Sequence, residues 1–143
     1  MKILVFDTET TGLPESRNTS ILETEKWPYI VQISWILYDC ETKEVLNVQD
    51  HIIKCGVDIP AEASNIHGIT TAKANREGIN LRQCMGKFAA DLKETNLLIA
   101  HNIDFDFPVV NCEFKRLNIK TKLEEIPRIC TMKSTTNLCC LPG

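Results

Sequence analysis

Hydrophobic and polar positions along the chain alternate between short apolar runs and a longer helical stripe. Ile3–Phe6 is a continuous apolar run with polar flanks, which predicts a buried central strand. Tyr29–Tyr38 is β-branched and aromatic with partial alternation, and Val45–Ile53 alternates less cleanly. The polar stretch Asp39–Glu44 joins these two as a hairpin. Ser64–His67 reads as a short turn or helical piece. Leu81–Thr95 places Leu81, Met85, Phe88, Ala89 and Leu92 at i, i+4, i+7, i+8 and i+11, an amphipathic helix. Leu97–Ala100 is another short buried strand. Asp104–Leu117 predicts a helix with Phe107, Val110, Phe114 and Leu117 on one stripe and Pro108 near its first turn. Arg128–Thr131 supplies a last short strand. The order β-β-β-α-β-α-β predicts an α/β fold with a mixed five-stranded sheet, an antiparallel meander leading into parallel crossovers. Polar residues then follow the C-terminal ends of the first and fourth strands, where open α/β sheets bind ligands.

The chain has 143 residues, which is one domain spanning 1–143 with room for a sizeable core. At 43% hydrophobic and 24% charged it is neither disordered nor fibrous. No run of 18 apolar residues occurs, so no membrane association is expected. The N-terminus turns acidic at Asp7, too early for a signal peptide's apolar core. The seven cysteines are odd in number, contain no C-x-x-C pair and end in the adjacent Cys139 and Cys140. That spacing does not suit a zinc ribbon, and the thiols read as reduced and mostly buried in an intracellular, cytoplasmic protein.

Net charge is −3 but uneven: residues 1–110 carry 10 basic and 16 acidic side chains, and residues 111–143 carry 6 and 3. An acidic body still accepts an anionic substrate when bound cations reverse the local sign. Two acidic clusters bear on that point. Asp7 and Glu9 stand at the exit of the first strand, where i and i+2 share a side. Like charges so close are costly unless a hard cation lies between them. Taken alone, the pair also reads as an ordinary solvated strand end. The second cluster, His101-Asn102-Ile103-Asp104-Phe105-Asp106, opens a helix. Asp104 and Asp106 there suit the helix dipole. If the first and fourth strands are neighbours, Asp106 also projects toward Asp7 and Glu9.

Together these motifs resemble those of the DEDD superfamily of 3′–5′ exonucleases, of DEDDh type, on the ribonuclease-H-like fold. Asp7-Thr8-Glu9-Thr10-Thr11-Gly12-Leu13 matches the family's D-x-E-T-T-G-L, and His101–Asp106 matches H-N-x-x-F-D. Ile59–Ala63 with Ile66-His67-Gly68-Ile69-Thr70 resembles the corresponding segment of the proofreading epsilon subunit of bacterial DNA polymerase III. The resemblance implies that Asp7 bridges two metal ions, with Glu9 on one and Asp106 completing the site. It implies that Thr10 and Leu13 contact the 3′-terminal nucleotide and that Phe105 supports its sugar. His67 is either a substrate contact or a buried or capping residue, and His101 is either a substrate contact or a residue that only shapes its turn. The implied cofactor is a pair of Mg²⁺ ions, replaceable by Mn²⁺, about 3.5–4 Å apart across an in-line displacement. The implied substrate is a single-stranded or frayed 3′ end of DNA, with RNA as an alternative. Lys115, Arg116, Lys120, Lys122 and Arg128 either track the nucleic-acid backbone or form a solvated helix end.

The resemblance breaks after Asp106. The family's third motif supplies a fourth carboxylate and a histidine base, and no Asp or His follows Asp106 here. The abrupt Leu141-Pro142-Gly143 end therefore reads as C-terminal truncation of a longer exonuclease, ahead of a natural short member. Such a chain is expected to be less stable than its relatives, or covered by a polymerase or a second copy on its C-terminal side. A catalytically silent nucleic-acid-binding or scaffold module that keeps the fold is the alternative to a metal-dependent proofreading or repair exonuclease.

Overall fold

Alternation of side chains sets the first strand. The computed structural model describes residues 1–16 and 18–139, with side chains through Thr135. Strand β1 covers Lys2–Thr10, and Leu4, Phe6, Thr8 and Thr10 are buried on one face while Val5, Asp7 and Glu9 occupy the other. Asp7 and Glu9 thus lie within the strand and not past its exit, as the apolar run suggested. The threonines extend the strand because their hydroxyls find local partners. Thr8 Oγ1 donates to Asp106 at 2.5 Å and Thr10 Oγ1 to the Gly12 carbonyl at 2.7 Å.

β2 (Ile30–Asp39) and β3 (Glu44–Ile52) form the expected hairpin, antiparallel to each other, with β2 antiparallel to β1. β4 (Leu97–Ala100) lies parallel to β1, with Val5 opposite Ile99, and β5 (Arg128–Cys130) lies parallel to β4. The sheet order is β3-β2-β1-β4-β5, so β1 is central and adjoins β4.

Helices α3 (Leu81–Leu92) and α4 (Ile103–Arg116) supply the core on the Leu4 and Phe6 face. Phe88 lies at its centre, edge-on to Trp35 at 4.9 Å and in contact with Phe6 and Phe114. Pro108 is the sixth residue of α4, one turn deeper than proline's favoured position, and withholds the N–H that would reach the Asp104 carbonyl. Phe107 and Leu117 are only half-buried; the inward stripe of α4 is Asp106, Val109, Val110, Glu113 and Phe114.

One short helix lacks a sequence signal. α1 (Ala61–His67) extends the helical piece expected at Ser64–His67, whereas α2 (Thr71–Glu77) was not expected because it buries Ala74 alone. Thr70 caps it, accepting from the Lys73 amide at 3.1 Å. Thr131–Cys139, read as a tail, forms α5. Cys140 and the Leu141-Pro142-Gly143 end lie outside the described residues. The five described free thiols range from buried Cys84, Cys112 and Cys130 to exposed Cys40. On the sheet face opposite the core, Val5, Ile36 and Val48 share one row and remain 39%, 41% and 62% exposed. Among the described residues no helix is long and apolar enough to cross a membrane.

Gly78 lets α2 close onto β3. A Cβ there would stand 2.3 Å from the Ala74 carbonyl oxygen and 2.5 Å from the Lys54 nitrogen. Both atoms are backbone and cannot swing aside, so Gly78→Ala should destabilise the chain by about 1–3 kcal/mol. A urea unfolding midpoint equal to wild type would contradict this packing.

Candidate active site

The site is assembled by β1 and α4. Asp106 is 3% exposed, and its Oδ1 accepts from the Thr8 amide at 3.2 Å as well as from the Thr8 hydroxyl. Those two bonds seat a buried carboxylate on the backbone between Asp7 and Glu9. Along a strand, Asp7 and Glu9 lie about 6–7 Å apart on the same face. The electrostatics follow from this arrangement. Asp106 is pushed up to about 6, chiefly by burial and further by Asp7 and Glu9, against the Thr8 hydrogen bonds. Glu9 is also raised, first by burial and then by Asp7, with His67 opposing. A carboxylate group in which Asp7 disfavours the charge of both Asp106 and Glu9 is chemically suited to a hard divalent cation. Among the described residues, however, no three His, Cys, Asp or Glu side chains converge on a single ion position.

α4 approaches this way because Asn102, at its N-cap, adopts a left-handed conformation (φ 62°) that turns the chain sharply out of β4. The Phe105 and Asp106 amides then bond the Asn102 carbonyl. Phe105 is half-buried against the core. Thr10 is buried, and its hydroxyl is spent inside the turn, donating to the Gly12 carbonyl and accepting weakly from the Gly12 amide. That turn leaves Leu13 80% exposed. His67 Nδ1 accepts from the Ile69 amide and Nε2 lies 3.1 Å from the Thr10 carbonyl. One neutral tautomer, protonated at Nε2, satisfies both, so His67 ties the end of α1 to the end of β1. His101 is exposed, with Nδ1 3.0 Å from Thr131 Oγ1.

Asp50 is a neighbour that sequence reading missed. Ser34 lies opposite Asp7 and Gln32 opposite Glu9, and both donate to Asp50 Oδ1, at 2.7 and 2.9 Å. Only strand register brings Asp50 here, and no local motif announces it. The basic segment is dispersed. Arg116 is committed to backbone carbonyls and Glu113, Arg128 stacks on Phe107 at 3.8 Å, and Lys115 is 4.0 Å from Glu124. Lys120 lines two adjoining cavities of about 400 and 370 Å³ beyond the C-terminal end of α4, away from Asp106.

Comparison with known proteins bears on the family and the fold. The exonuclease family RNase_T matches residues 4–138. No curated protein matches the chain significantly. Among solved structures, E. coli exonuclease I in complex with a dT13 oligonucleotide is similar at TM-score 0.72 and 19% identity, over 94% of this chain and 29% of that one. The same enzyme with a dA16 oligonucleotide gives 0.73 and 20%, over 96% and 30%. An apo exonuclease I structure gives 0.73 and 19%, over 95% and 30%. The chain thus spans about 30% of the length of these structures, and at such identity the likeness concerns the fold.

Asp106 binds its proton more tightly in the folded chain, at about 6 against an ordinary 3.8. Between those values the folded state holds more protons than the unfolded one. The group's contribution to stability is therefore full below about pH 4 and is lost as pH rises through 6. In metal-free buffer Asp106→Asn, which keeps an acceptor for Thr8, should flatten this slope and be about 1–3 kcal/mol more stable than wild type at pH 7. Equal slopes in denaturant titrations across that window would contradict the assignment.

Proposed function

We propose that this chain, which belongs to the RNase_T exonuclease family, acts as a 3′–5′ exonuclease on DNA, with divalent cations held by Asp7, Glu9 and Asp106. The observation that carries the reading is the buried Asp106 pinned to Thr8 between two strand carboxylates, all of them coupled electrostatically. The expected ions are Mg²⁺, with Mn²⁺ able to substitute. Bound there, they supply positive charge to the scissile phosphate and to the attacking and leaving oxygens. That charge resolves how an acidic domain accepts a polyanion.

The chain's own residues bind and orient. The Thr10–Gly12 turn, locked by the Thr10 hydroxyl and braced by His67, presents Leu13 for packing against the terminal base. Phe105, one residue before Asp106, supports the sugar. Asp106, with a pKa near 6, is protonated in part at mildly acidic pH and yields its proton when a cation binds. We assign the 3′ end of single-stranded or frayed DNA as substrate, in keeping with the oligonucleotide-bound structures that share the fold. The activity is of the proofreading or repair type that the epsilon-like motifs suggest.

A second reading, nucleic-acid binding without turnover, draws on His67. Both its ring nitrogens are engaged by backbone, so it is not free to activate water.

A 5′-labelled single-stranded DNA incubated with Mg²⁺ or Mn²⁺ separates these readings. The exonuclease gives a ladder shortened from the 3′ end, and Asp7→Ala lowers its rate by at least about 100-fold, as expected when a metal-ligating group is lost. No ladder, with DNA binding intact, would favour the silent module. A ladder on RNA alone would move the substrate to RNA.

A further inference from the structure

Arg116 lies on α4 ten residues beyond Asp106, outside the carboxylate group, yet its donors are spent on the loop between β1 and β2. The Arg116 side chain is 14% exposed. Nη2 donates to the Thr24 carbonyl at 2.5 Å and the Trp27 carbonyl at 2.6 Å. Nη1 donates to the Pro28 carbonyl at 3.2 Å and to Glu113 Oε1 at 2.8 Å. Its carbon stands 3.9 Å from the centre of the Tyr29 ring. Glu113 is fully buried, and its second oxygen accepts from the Ile30 amide at 3.1 Å, fixing the first residue of β2. The next link leads toward the site. The Thr11 amide donates to the Tyr29 carbonyl and the Tyr29 amide to Thr11 Oγ1, both at 3.0 Å. Thr11 is the middle residue of the Thr10–Gly12 turn.

We propose that the Glu113–Arg116 pair is the positioning element for the nucleotide-binding turn. It holds Thr10–Leu13 in register with Asp106 without touching substrate. Glu113 follows Asp106 by seven residues, two helical turns, so both carboxylates project from one face of one helix. Asp106 fastens that helix to β1, and Glu113 with Arg116 fastens it to the segment paired with Thr11. The distance between cation site and base-packing turn is thereby fixed by a single rigid element. A lysine would not serve equally. Its ammonium is a point donor, whereas the planar guanidinium reaches three carbonyls and a carboxylate while stacking on Tyr29. The inference rests on the reading of the Thr10–Leu13 turn as the nucleotide-binding turn, with Leu13 packing against the base.

The test compares wild type with Arg116→Lys, which keeps a positive charge beside buried Glu113. Three readouts are needed: amide exchange at Thr11 and Tyr29 against the core amide of Leu98, the rise in Tm with Mn²⁺, and affinity for an oligothymidylate whose 3′ linkage resists hydrolysis. The expected result is exchange at Thr11 and Tyr29 at least about tenfold faster, Leu98 and the Mn²⁺ response unchanged, and oligothymidylate affinity at least about tenfold weaker. Unchanged exchange at Thr11 and Tyr29 would overturn the positioning role. Faster exchange with unchanged oligothymidylate affinity would overturn its link to nucleotide binding. A wild-type chain that binds no oligothymidylate overturns the function proposed above, and with it the claim that this turn serves a nucleotide. Should Arg116→Lys fail to fold, Glu113→Gln with Arg116→Met removes the buried charge together with its partner, and the same outcomes decide.

Discussion

Helix α4 is held at two points by buried carboxylates, and the arrangement of the site depends on both. Asp106 accepts from the amide and hydroxyl of Thr8 on the central strand, and Glu113 accepts from the Ile30 amide at the start of the neighbouring strand. Burying a charged carboxylate costs several kcal/mol unless a counter-charge or enough donors compensate. Glu113 has its counter-charge in Arg116 at 2.8 Å. Asp106 has none among the described residues; it has Thr8 on one side and two further carboxylates within electrostatic reach. The two anchors are thus unequal in kind. One is complete within the chain, and the other, on the function proposed above, is completed by a cation from solution.

This asymmetry explains why stability and chemistry are separable along one helix. The core face of α4, through Val109, Val110 and Phe114, packs in one cluster with Phe88 and the sheet. The N-terminal turn then brings Asp106 to β1, and the C-terminal turn secures the loop that carries Leu13. The polar groups around β1 extend the same logic. Ser34 and Gln32, directly across from Asp7 and Glu9, spend their donors on Asp50 and not on the strand carboxylates. The Asp7–Glu9 pair is left without neutralising donors from that side.

Much of this was legible in the residues. The short apolar runs Ile3–Phe6 and Leu97–Ala100 gave the central strands, and the helix expected over Leu81–Thr95 starts at Leu81 and ends three residues earlier, at Leu92. Pairing of β1 with β4 was the condition for Asp106 to reach Asp7 and Glu9, and the sheet meets it. Where the reading fell short, the controlling contact was long-range or carried by a polar side chain. Thr8 and Thr10 look like loop residues, yet they extend β1 because Asp106 and Gly12 satisfy their hydroxyls. α2 buries one alanine and depends on Gly78, so it has no stripe to detect. Asp50 and Arg116 reach their partners over gaps of 16 to 92 residues, which no local spacing reveals. An i, i+3 Glu–Arg pair at a helix end reads as surface decoration until the loop that covers it is known.

The most direct test of the account is calorimetric titration of the metal-free chain with Mn²⁺ near pH 6, in two buffers of different ionisation enthalpy. If Asp106 is an incomplete anchor awaiting a cation, binding is saturable and releases protons, because a carboxyl titrating near pH 6 must ionise as the metal arrives. The same titration of Asp106→Asn would show weaker binding and no such release. Absence of saturable binding, or binding of equal strength and equal proton release in the variant, would contradict the account.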